Sequence, residues 1–348
     1  MRELIINGTT INDQSDCYVT AEIGNNHQGK LETAKEMFRI AKLCGANAVK
    51  LQKRCNRALY TKELYNKPYD TINSYGKTYG EHREKLEFEK NEYMELMRYA
   101  EEIDVDFICT AFDFPSVDFL EDIGISVYKI ASGDLKTIPL IKYIAETGKP
   151  MFLSTGGGTT DDAQRAYDAI MPINNQLCIM QSTASYPCEP EDMNLNVITT
   201  YRNHFPDTVI GLSDHQNGIA MSLVAYVLGS RVFEKHFTLN RGWLGTDHGF
   251  SLEPPGLEKM IRDLKRARIA LGDEAKKPLP CETAPIYKMG KKLVAAHDIR
   301  RSQVICRDDI AIKSPGDGLS PHEIENIIGK VTKRELKEDE NIDFNDIT

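Results

Sequence analysis

The sequence predicts an α/β chain: a (β/α)8 barrel of TIM type followed by a small β-rich unit. Three observations predict it. From residue 17 to about 272, a short apolar run, a polar loop and an amphipathic helical stretch alternate eight times, the size and period of such a barrel. The strand candidates read as near-continuous apolar runs, as parallel strands do when both faces are covered. A doubly wound sheet, the competing architecture, lacks its usual mark. The turn after the first strand, Gly24-Asn25-Asn26-His27-Gln28-Gly29, contains no G-x-G-x-x-G.

The expected strands cover residues 17–22, 48–52, 106–111, 126–131, 150–154, 177–182, 208–212 and 231–237. The expected helices cover 31–44, 91–102, 116–122, 139–147, 160–170, 194–204, 219–228 and 255–271. The first is the clearest, because Leu31, Ala34, Met37, Phe38, Ala41 and Cys44 share one face and Gly45 supplies the stop. Between the second strand and the helix near Asn91 lie about 35 residues, long for a βα loop and placed where lids and substrate loops arise. That loop carries Lys77, Glu81, His82, Arg83 and Glu87 among Tyr75 and Tyr79; a solvated surface excursion is the competing reading. Beyond Gly272 the pattern stops. The division expected is a barrel over 1–272, a Lys- and Pro-rich linker over 273–292, and a unit of short strands and turns over 293–348, small enough to need support from elsewhere.

Bulk properties narrow the function. With 348 residues, 41% of them hydrophobic, a mean hydropathy of −0.41 and a net charge of −9, the chain reads as soluble and globular, with no nucleic-acid partner. It contains no apolar run of the length a membrane span needs, and MRELIINGTTIND lacks a signal-peptide core, so the expected location is cytoplasmic. None of the eight cysteines forms a C-x-x-C pair, which suits small buried hydrophobes in a reducing compartment.

In such a barrel the chemistry sits at the C-terminal ends of the strands. Read in order, those ends carry Glu22; Lys50 and Gln52; Thr110; Lys129 and Ser132; Ser154 and Thr155; Gln181, Ser182 and Thr183; Ser213 and His215; and His236. Lys50 and Lys129 lie inside apolar strands, AVKLQ and VYKIAS, where burial is costly without an anionic partner. A structural salt bridge meets that need. So does a clamp on phosphate or carboxylate, shared with the hydroxyls of Ser132, Ser154 and Ser213. A Schiff-base lysine is a third option. His215 and His236, each at the end of one of two neighbouring strands, fit an open metal site, although imidazoles suit zinc or iron as well as manganese. His248 is expected to support Asp247.

These residues sit in motifs that resemble the sialic acid (N-acetylneuraminate, or nonulosonic acid) synthase family: AEIGNNHQG at 21–29, KLQ at 50–52, YKIASGD at 128–134, FLSTGG at 152–157, QSTASYP at 181–187, GLSDH at 211–215, EKHFTL at 234–239 and GTDHGFSLEP at 245–254. The resemblance spans almost the whole chain. It implies a phosphoenolpyruvate-dependent transferase that condenses phosphoenolpyruvate with N-acetylmannosamine or a related N-acylated hexose, releasing phosphate by C–O cleavage. KSPGDGLSP and IGK in the last unit look like the family's antifreeze-like (SAF-type) domain, which implies a domain-swapped homodimer with that domain capping the partner's barrel. By the same resemblance Lys50, Lys129, Ser132, Ser154 and Ser213 hold phosphoenolpyruvate, while Glu22, Gln52, Tyr186 and Asp247 face the sugar. The implied catalytic set is Glu22, Lys50, Lys129 and Asp247. His215 and His236 would bind a divalent ion, usually Mn2+, with Mg2+ or Co2+ as alternatives.

Two positions depart from the family pattern. Ser314 stands where bacterial members commonly have an arginine that reaches the N-acyl group, and Ala184 replaces the asparagine of some members. Conversely, GKTYGEH (76–82), W-x-G-T-D-H (243–248) and LPCE (279–282) look like the animal-type branch, which makes the 9-phosphate from a 6-phosphorylated sugar. Lys77, His82 or Arg83 would then supply a second phosphate site. Legionaminic-type synthesis from a diacetamido-trideoxy hexose, related phosphoenolpyruvate aldol enzymes, a Schiff-base aldolase and a non-catalytic carbohydrate-binding protein are the remaining alternatives.

Overall fold

The computed structural model describes residues 2–348, which fall into two units, one ending at Gly272 and one running over Asp273–Thr348. A hairpin outside the predicted strands opens the chain. In it β1 (Glu3–Ile6) and β2 (Thr9–Asn12) pair antiparallel about Asn7-Gly8. Both turn residues have positive φ, 43° and 81°, the geometry Asn-Gly tolerates best in a two-residue turn.

Eight parallel strands follow: β3 (Tyr18–Glu22), β4 (Ala48–Lys53), β5 (Asp106–Ala111), β6 (Val127–Ile130), β7 (Met151–Ser154), β8 (Leu177–Ser182), β9 (Val209–Asp214) and β10 (Val232–His236). They close in the order β10-β3-β4-β5-β6-β7-β8-β9. Each predicted strand is present to within two residues at either end. Successive side chains on a strand face opposite sides, and this alternation builds two separate cores. Outward residues such as Val49, Leu51, Cys109, Ile130, Leu153, Ile179 and Phe233 pack against the helical layer. The first helix, Leu31–Leu43, buries Ala34, Met37, Phe38 and Ala41 there.

Inward residues form a second cluster: Tyr18, Ala48, Ile108, Val127, Phe152, Cys178, Met180, Val209 and Val232, joined by Leu4, Ile6 and Ile11 of the hairpin. The hairpin therefore stoppers the N-terminal end of the barrel with three aliphatic side chains. Two residues further along most strands the inward position turns polar: Thr20, Lys50, Thr110, Lys129, Ser154 and Glu234. The barrel interior thus runs from oil at one end to charge at the other, and the site is placed by that gradient.

The predicted long loop is folded, with three short helices: Asn56–Leu59, Lys62–Asn66 and Tyr79–Glu84. Its centre is His82, packed against the rings of Tyr69, Tyr75 and Tyr79, with Nδ1 accepting the Tyr75 N–H at 3.1 Å. The Tyr75 hydroxyl donates to the Leu244 carbonyl at 2.7 Å, and the Gly245 N–H donates to Asn73 Oδ1 at 3.1 Å. Two loops at the barrel mouth are tied together in this way.

In the second unit, β11 (Lys292–Ala295) pairs antiparallel with β12 (Ile310–Lys313). A core of Leu293, Ala295, Ile299, Ile305, Ile310, Ile327, Leu336, Ile342 and Ile347 fills it. The 273–292 stretch is not unstructured: it contains a helix over Thr283–Met289. All eight cysteines are free, three of them buried, and no helix among the described residues is long and apolar enough to cross a membrane.

The apolar half of the barrel interior makes a quantitative demand. Phe152, fully buried and edge-on to Tyr18 with centroids 6.2 Å apart, has no solvent to collapse toward. Phe152→Ala is expected to lower the stability of the barrel by about 3–5 kcal/mol, measured by urea denaturation.

Candidate active site

Four buried charges cross the barrel interior. Lys129 on β6 and Glu234 on β10 sit on diametrically opposite strands, yet Nζ and Oε1 are 2.7 Å apart. Lys50 on β4 lies 2.8 Å from Glu22 Oε2 and 3.6 Å from Glu234 Oε1, and also donates to Thr110 Oγ1 at 2.9 Å. Glu22 Oε1 accepts from Gln52 Nε2 at 2.6 Å. Gly24 makes room for that bond: at φ 52°, a Cβ there would lie 3.0 Å from Glu22 Oε1 and 3.2 Å from Gln52 Nε2.

Burial penalises every one of these charges, so each depends on its neighbours. For Lys50, burial lowers the pKa, but the carboxylates of Glu22 and Glu234 outweigh it and the net shift is upward. For Lys129, burial prevails over Glu234 and the shift is downward, with the nearby Lys50 ammonium adding to it. Glu234 is held below the usual carboxylate range because the two lysines overcome its burial. Sequence reasoning offered a salt bridge or an anion clamp for these lysines. The structure shows the salt bridges, and they open onto a cavity.

That cavity, about 610 Å3, lies within the usual range for small-molecule sites. It brings together the residues expected to hold phosphoenolpyruvate, sugar and metal: Glu22, Lys50, Gln52, Lys129, Ser132, Ser154, Tyr186, Ser213, His215, His236 and Asp247. Ser132 Oγ accepts the Gly156 N–H at 3.1 Å, which leaves its own proton to donate, and Ser154 Oγ has no partner among the described residues. Other strand-end residues turn away from it. Thr155 Oγ1 donates to the Met180 carbonyl at 3.0 Å and Gln181 Nε2 to the Met193 carbonyl at 3.0 Å.

The two histidines are set by strand alternation. Ser213 and His215 face the interior while Asp214 faces out; Glu234 and His236 face in while Lys235 faces out. The outward pair, Lys235 Nζ to Asp214 Oδ2 at 2.7 Å, pins the two strand ends to each other. The rings of His215 and His236 lie 5.6 Å apart. His215 Nδ1 is 2.8 Å from the Thr183 carbonyl, which can only accept, so the proton sits there and Nε2 keeps its lone pair. Burial and the neighbouring His236 push the His215 pKa down to about 3, so the ring is neutral. His236 Nδ1 is buried with no hydrogen-bond partner among the described residues. Two neutral or unpartnered imidazoles fit a divalent cation. No cluster of three or more His, Cys, Asp or Glu able to hold an ion occurs among the described residues, so substrate or water oxygens would have to complete the shell.

Asp247 closes the other side, its Oδ2 3.9 Å from His236 Nδ1. His248 does not bond its carboxylate; Nδ1 meets Thr238 Oγ1 at 2.7 Å and anchors the loop that carries it. The Tyr186 ring packs against His215 at a tilt of 43°, with centroids 4.3 Å apart.

Of the residues expected to form a second phosphate site, only Arg83 reaches the cavity. Lys77 is exposed to solvent, and His82 is enclosed in its aromatic cluster, where burial and Arg83 push its pKa down to about 4. A residue that sequence reasoning missed takes their place. Arg54 lines the cavity beside Arg83, is only 7% exposed, and stacks its guanidinium 3.9 Å from the Phe112 ring centre. Its Nη2 donates to Gln52 Oε1 at 2.5 Å, while Nη1 has no hydrogen-bond partner among the described residues. Glu234 was missed as well, although period-two spacing from His236 would have placed it inward. Arg54 follows β4 in an irregular turn, and no periodicity marks it.

The chain is similar to known proteins over nearly its whole length. The sequence pattern of the NeuB family matches residues 37–276, and that of the SAF domain matches 292–348. The chain is 40% identical to the human N-acetylneuraminate-9-phosphate synthase over 336 residues, which cover 96% of this chain and 94% of that protein. It is 32% identical to the N,N'-diacetyllegionaminic acid synthase of Campylobacter jejuni, covering 92% and 97%. Among solved structures, the sialic acid synthetase of Leptospira borgpetersenii in complex with citrate superimposes with a TM-score of 0.71 at 28% identity, covering 82% of this chain and 95% of that one.

The buried imidazoles set an acid limit. His215 and His27 are pushed down to about 3 and His82 to about 4, chiefly by burial, from an ordinary value of 6.5. The unfolded chain therefore binds protons in a range where the folded chain does not, and stability is lost as pH falls from 6.5 toward 4. Thermal unfolding scans are expected to show Tm falling across that window, with a shallower slope in His82→Phe.

Proposed function

The chain belongs to the NeuB family, and we propose that its barrel mouth condenses phosphoenolpyruvate with the 6-phosphate of N-acetylmannosamine or a related N-acylated hexose. It is a phosphoenolpyruvate-dependent nonulosonic acid synthase, and the product of this reading is the 9-phosphate. One observation carries the condensation: two buried lysines, three serine hydroxyls and two imidazoles converge on a single cavity.

In this reading Lys50 and Lys129 neutralise the phosphate and carboxylate of phosphoenolpyruvate, and Ser132, Ser154 and Ser213 donate to its oxygens. Gln52, Tyr186 and Asp247 orient the open-chain sugar so that its aldehyde faces the methylene carbon. A divalent cation, Mn2+ in this proposal with Mg2+ and Co2+ as alternatives, is held by His215 and His236 and supplies Lewis acidity toward the aldehyde when bound. A carbon–carbon bond forms between C3 of phosphoenolpyruvate and the aldehyde carbon, and positive charge develops at C2. Glu22, buried and already hydrogen-bonded to Gln52, stabilises that charge and handles the proton of the water that adds at C2. The bond between C2 and the phosphate's bridging oxygen then breaks, that oxygen leaves as part of inorganic phosphate, and the oxygen of the added water remains as the C2 carbonyl.

Arg54 and Arg83 support the phosphorylated sugar. Burial first and the neighbouring Arg83 guanidinium second push the Arg54 pKa down, Glu87 at 3.9 Å from Nη1 offsets this only in part, and an anion between the two guanidiniums relieves the rest. The names of the relatives fit either kind of sugar. A 6-deoxy substrate of the legionaminic type has no oxygen at that position to carry a phosphate, so it leaves the arginine pair without a role. The proposal also includes a cytoplasmic homodimer in which the SAF unit of one copy covers the barrel mouth of the other. Ser314, in place of the family's arginine, then makes its N-acyl contact weaker or different.

Two measurements test this reading. Steady-state phosphate release with N-acetylmannosamine, its 6-phosphate and a diacetamido-trideoxy hexose is expected to favour the 6-phosphate. Arg54→Ala is expected to raise its KM by about 10- to 100-fold, with little change for the free sugar; equal effects on both sugars would remove the second phosphate site. Chelation with EDTA is expected to abolish turnover, and His215→Ala to abolish calorimetric Mn2+ binding. Condensation that persists without a divalent ion would refute the role given to the histidines.

A further inference from the structure

Both lysines assigned to phosphoenolpyruvate already have carboxylate partners within the protein. Lys50 and Lys129 face Glu22 and Glu234, so the four charges sum to zero, and none of the four residues is more than 5% exposed. The two carboxylates are placed differently. Glu22 spends its second oxygen on Gln52. Glu234 directs one oxygen at three groups the substrate also needs: Lys129 at 2.7 Å, Lys50 at 3.6 Å and Ser213 Oγ at 3.4 Å. Its other oxygen has no hydrogen-bond partner among the described residues.

We propose that Glu234 is an internal anion that competes with phosphoenolpyruvate for Lys129, and that it is kept because its charge assists the later cationic stage of the reaction. A buried ammonium without a counter-ion is costly, so Lys129 needs a partner whether or not substrate is bound. Glu234 supplies one from the opposite wall of the barrel. When the phosphate or carboxylate of phosphoenolpyruvate takes over Lys129, Glu234 keeps only its longer contacts to Lys50 at 3.6 Å and Ser213 at 3.4 Å, and its charge is released to act on the carbon that turns positive. Affinity for the ground state is reduced and the transition state is favoured, the partition that raises kcat rather than lowering KM. Glu234 touches Lys129 and acts on the substrate's binding through it, so for binding it is a positioning residue.

This inference rests on the reading that Lys129 holds phosphoenolpyruvate, and the experiment separates the two. Calorimetric binding of phosphoenolpyruvate in the presence of Mn2+, together with steady-state kinetics, is measured for the parent, Glu234→Gln, Lys129→Met and the double variant. The expected result for Glu234→Gln is phosphoenolpyruvate bound at least about threefold more tightly with kcat lowered about a hundredfold. That tightening is expected to disappear in the Lys129→Met background, because it acts through that ammonium. Lys129→Met binding phosphoenolpyruvate as tightly as the parent would overturn the substrate reading itself. With that reading intact, unchanged or weaker binding by folded Glu234→Gln overturns the inference. Loss of Mn2+ affinity alone in that variant also overturns it, by assigning the carboxylate to the metal. If Glu234→Gln does not fold, Glu234→Asp keeps the charge but withdraws it from Lys129 by one methylene. An intermediate tightening with a smaller fall in kcat is then expected, and its absence counts against the inference.

Discussion

The ion pair between Lys129 and Glu234 spans the inside of the barrel, and much of the site depends on it. Neither charge is tolerable alone at that depth. Together with Lys50 and Glu22 they form a neutral set whose geometry is fixed by four different strands. A one-residue shift in strand register would turn one member outward and leave its partner uncompensated, because such a slip reverses every side chain. The cavity's charged groups and the barrel register are therefore held by the same interaction. The cost of burying the charges is offset by contacts that any alternative register would lose.

The position of this charged layer follows from what lies beneath it. The hairpin side chains Leu4, Ile6 and Ile11 join Tyr18, Phe152, Met180 and the smaller inward residues to seal the lower half of the barrel. Water cannot reach the charges from that side. The cavity lies at the C-terminal mouth, where serines, histidines and Asp247 surround the lysines. Low dielectric below strengthens the ion pairs among these four charges, and polar groups line the cavity above them.

The mouth is finished by loops. His82 acts there as an aromatic packing element, neutral and enclosed. Through Tyr75 and Asn73 the folded excursion after β4 grips the loop that carries Asp247. Arg54 and Arg83 stand at the base of this excursion. They add positive charge to the cavity lining.

Periodicity by itself determined the barrel, its eight strands and the inward positions at their ends, because a buried parallel strand leaves few choices for which residues are apolar. A lysine within AVKLQ or VYKIAS and a histidine after GLSD or EK are visible for the same reason: they break an apolar pattern. The hairpin before β3 lies outside the predicted strands, and its plugging role was not legible either, since nothing local says which end of a barrel it fills. Only the tertiary structure decided that Lys129 meets Glu234 across 105 residues of chain, that His82 is packing and Arg54 is site, and that the 273–292 stretch is partly helical. Those facts come from closure of the barrel and from irregular turns. A sequence records the preference of each residue for inside or outside; which inside residues face one another is set by how the strands close.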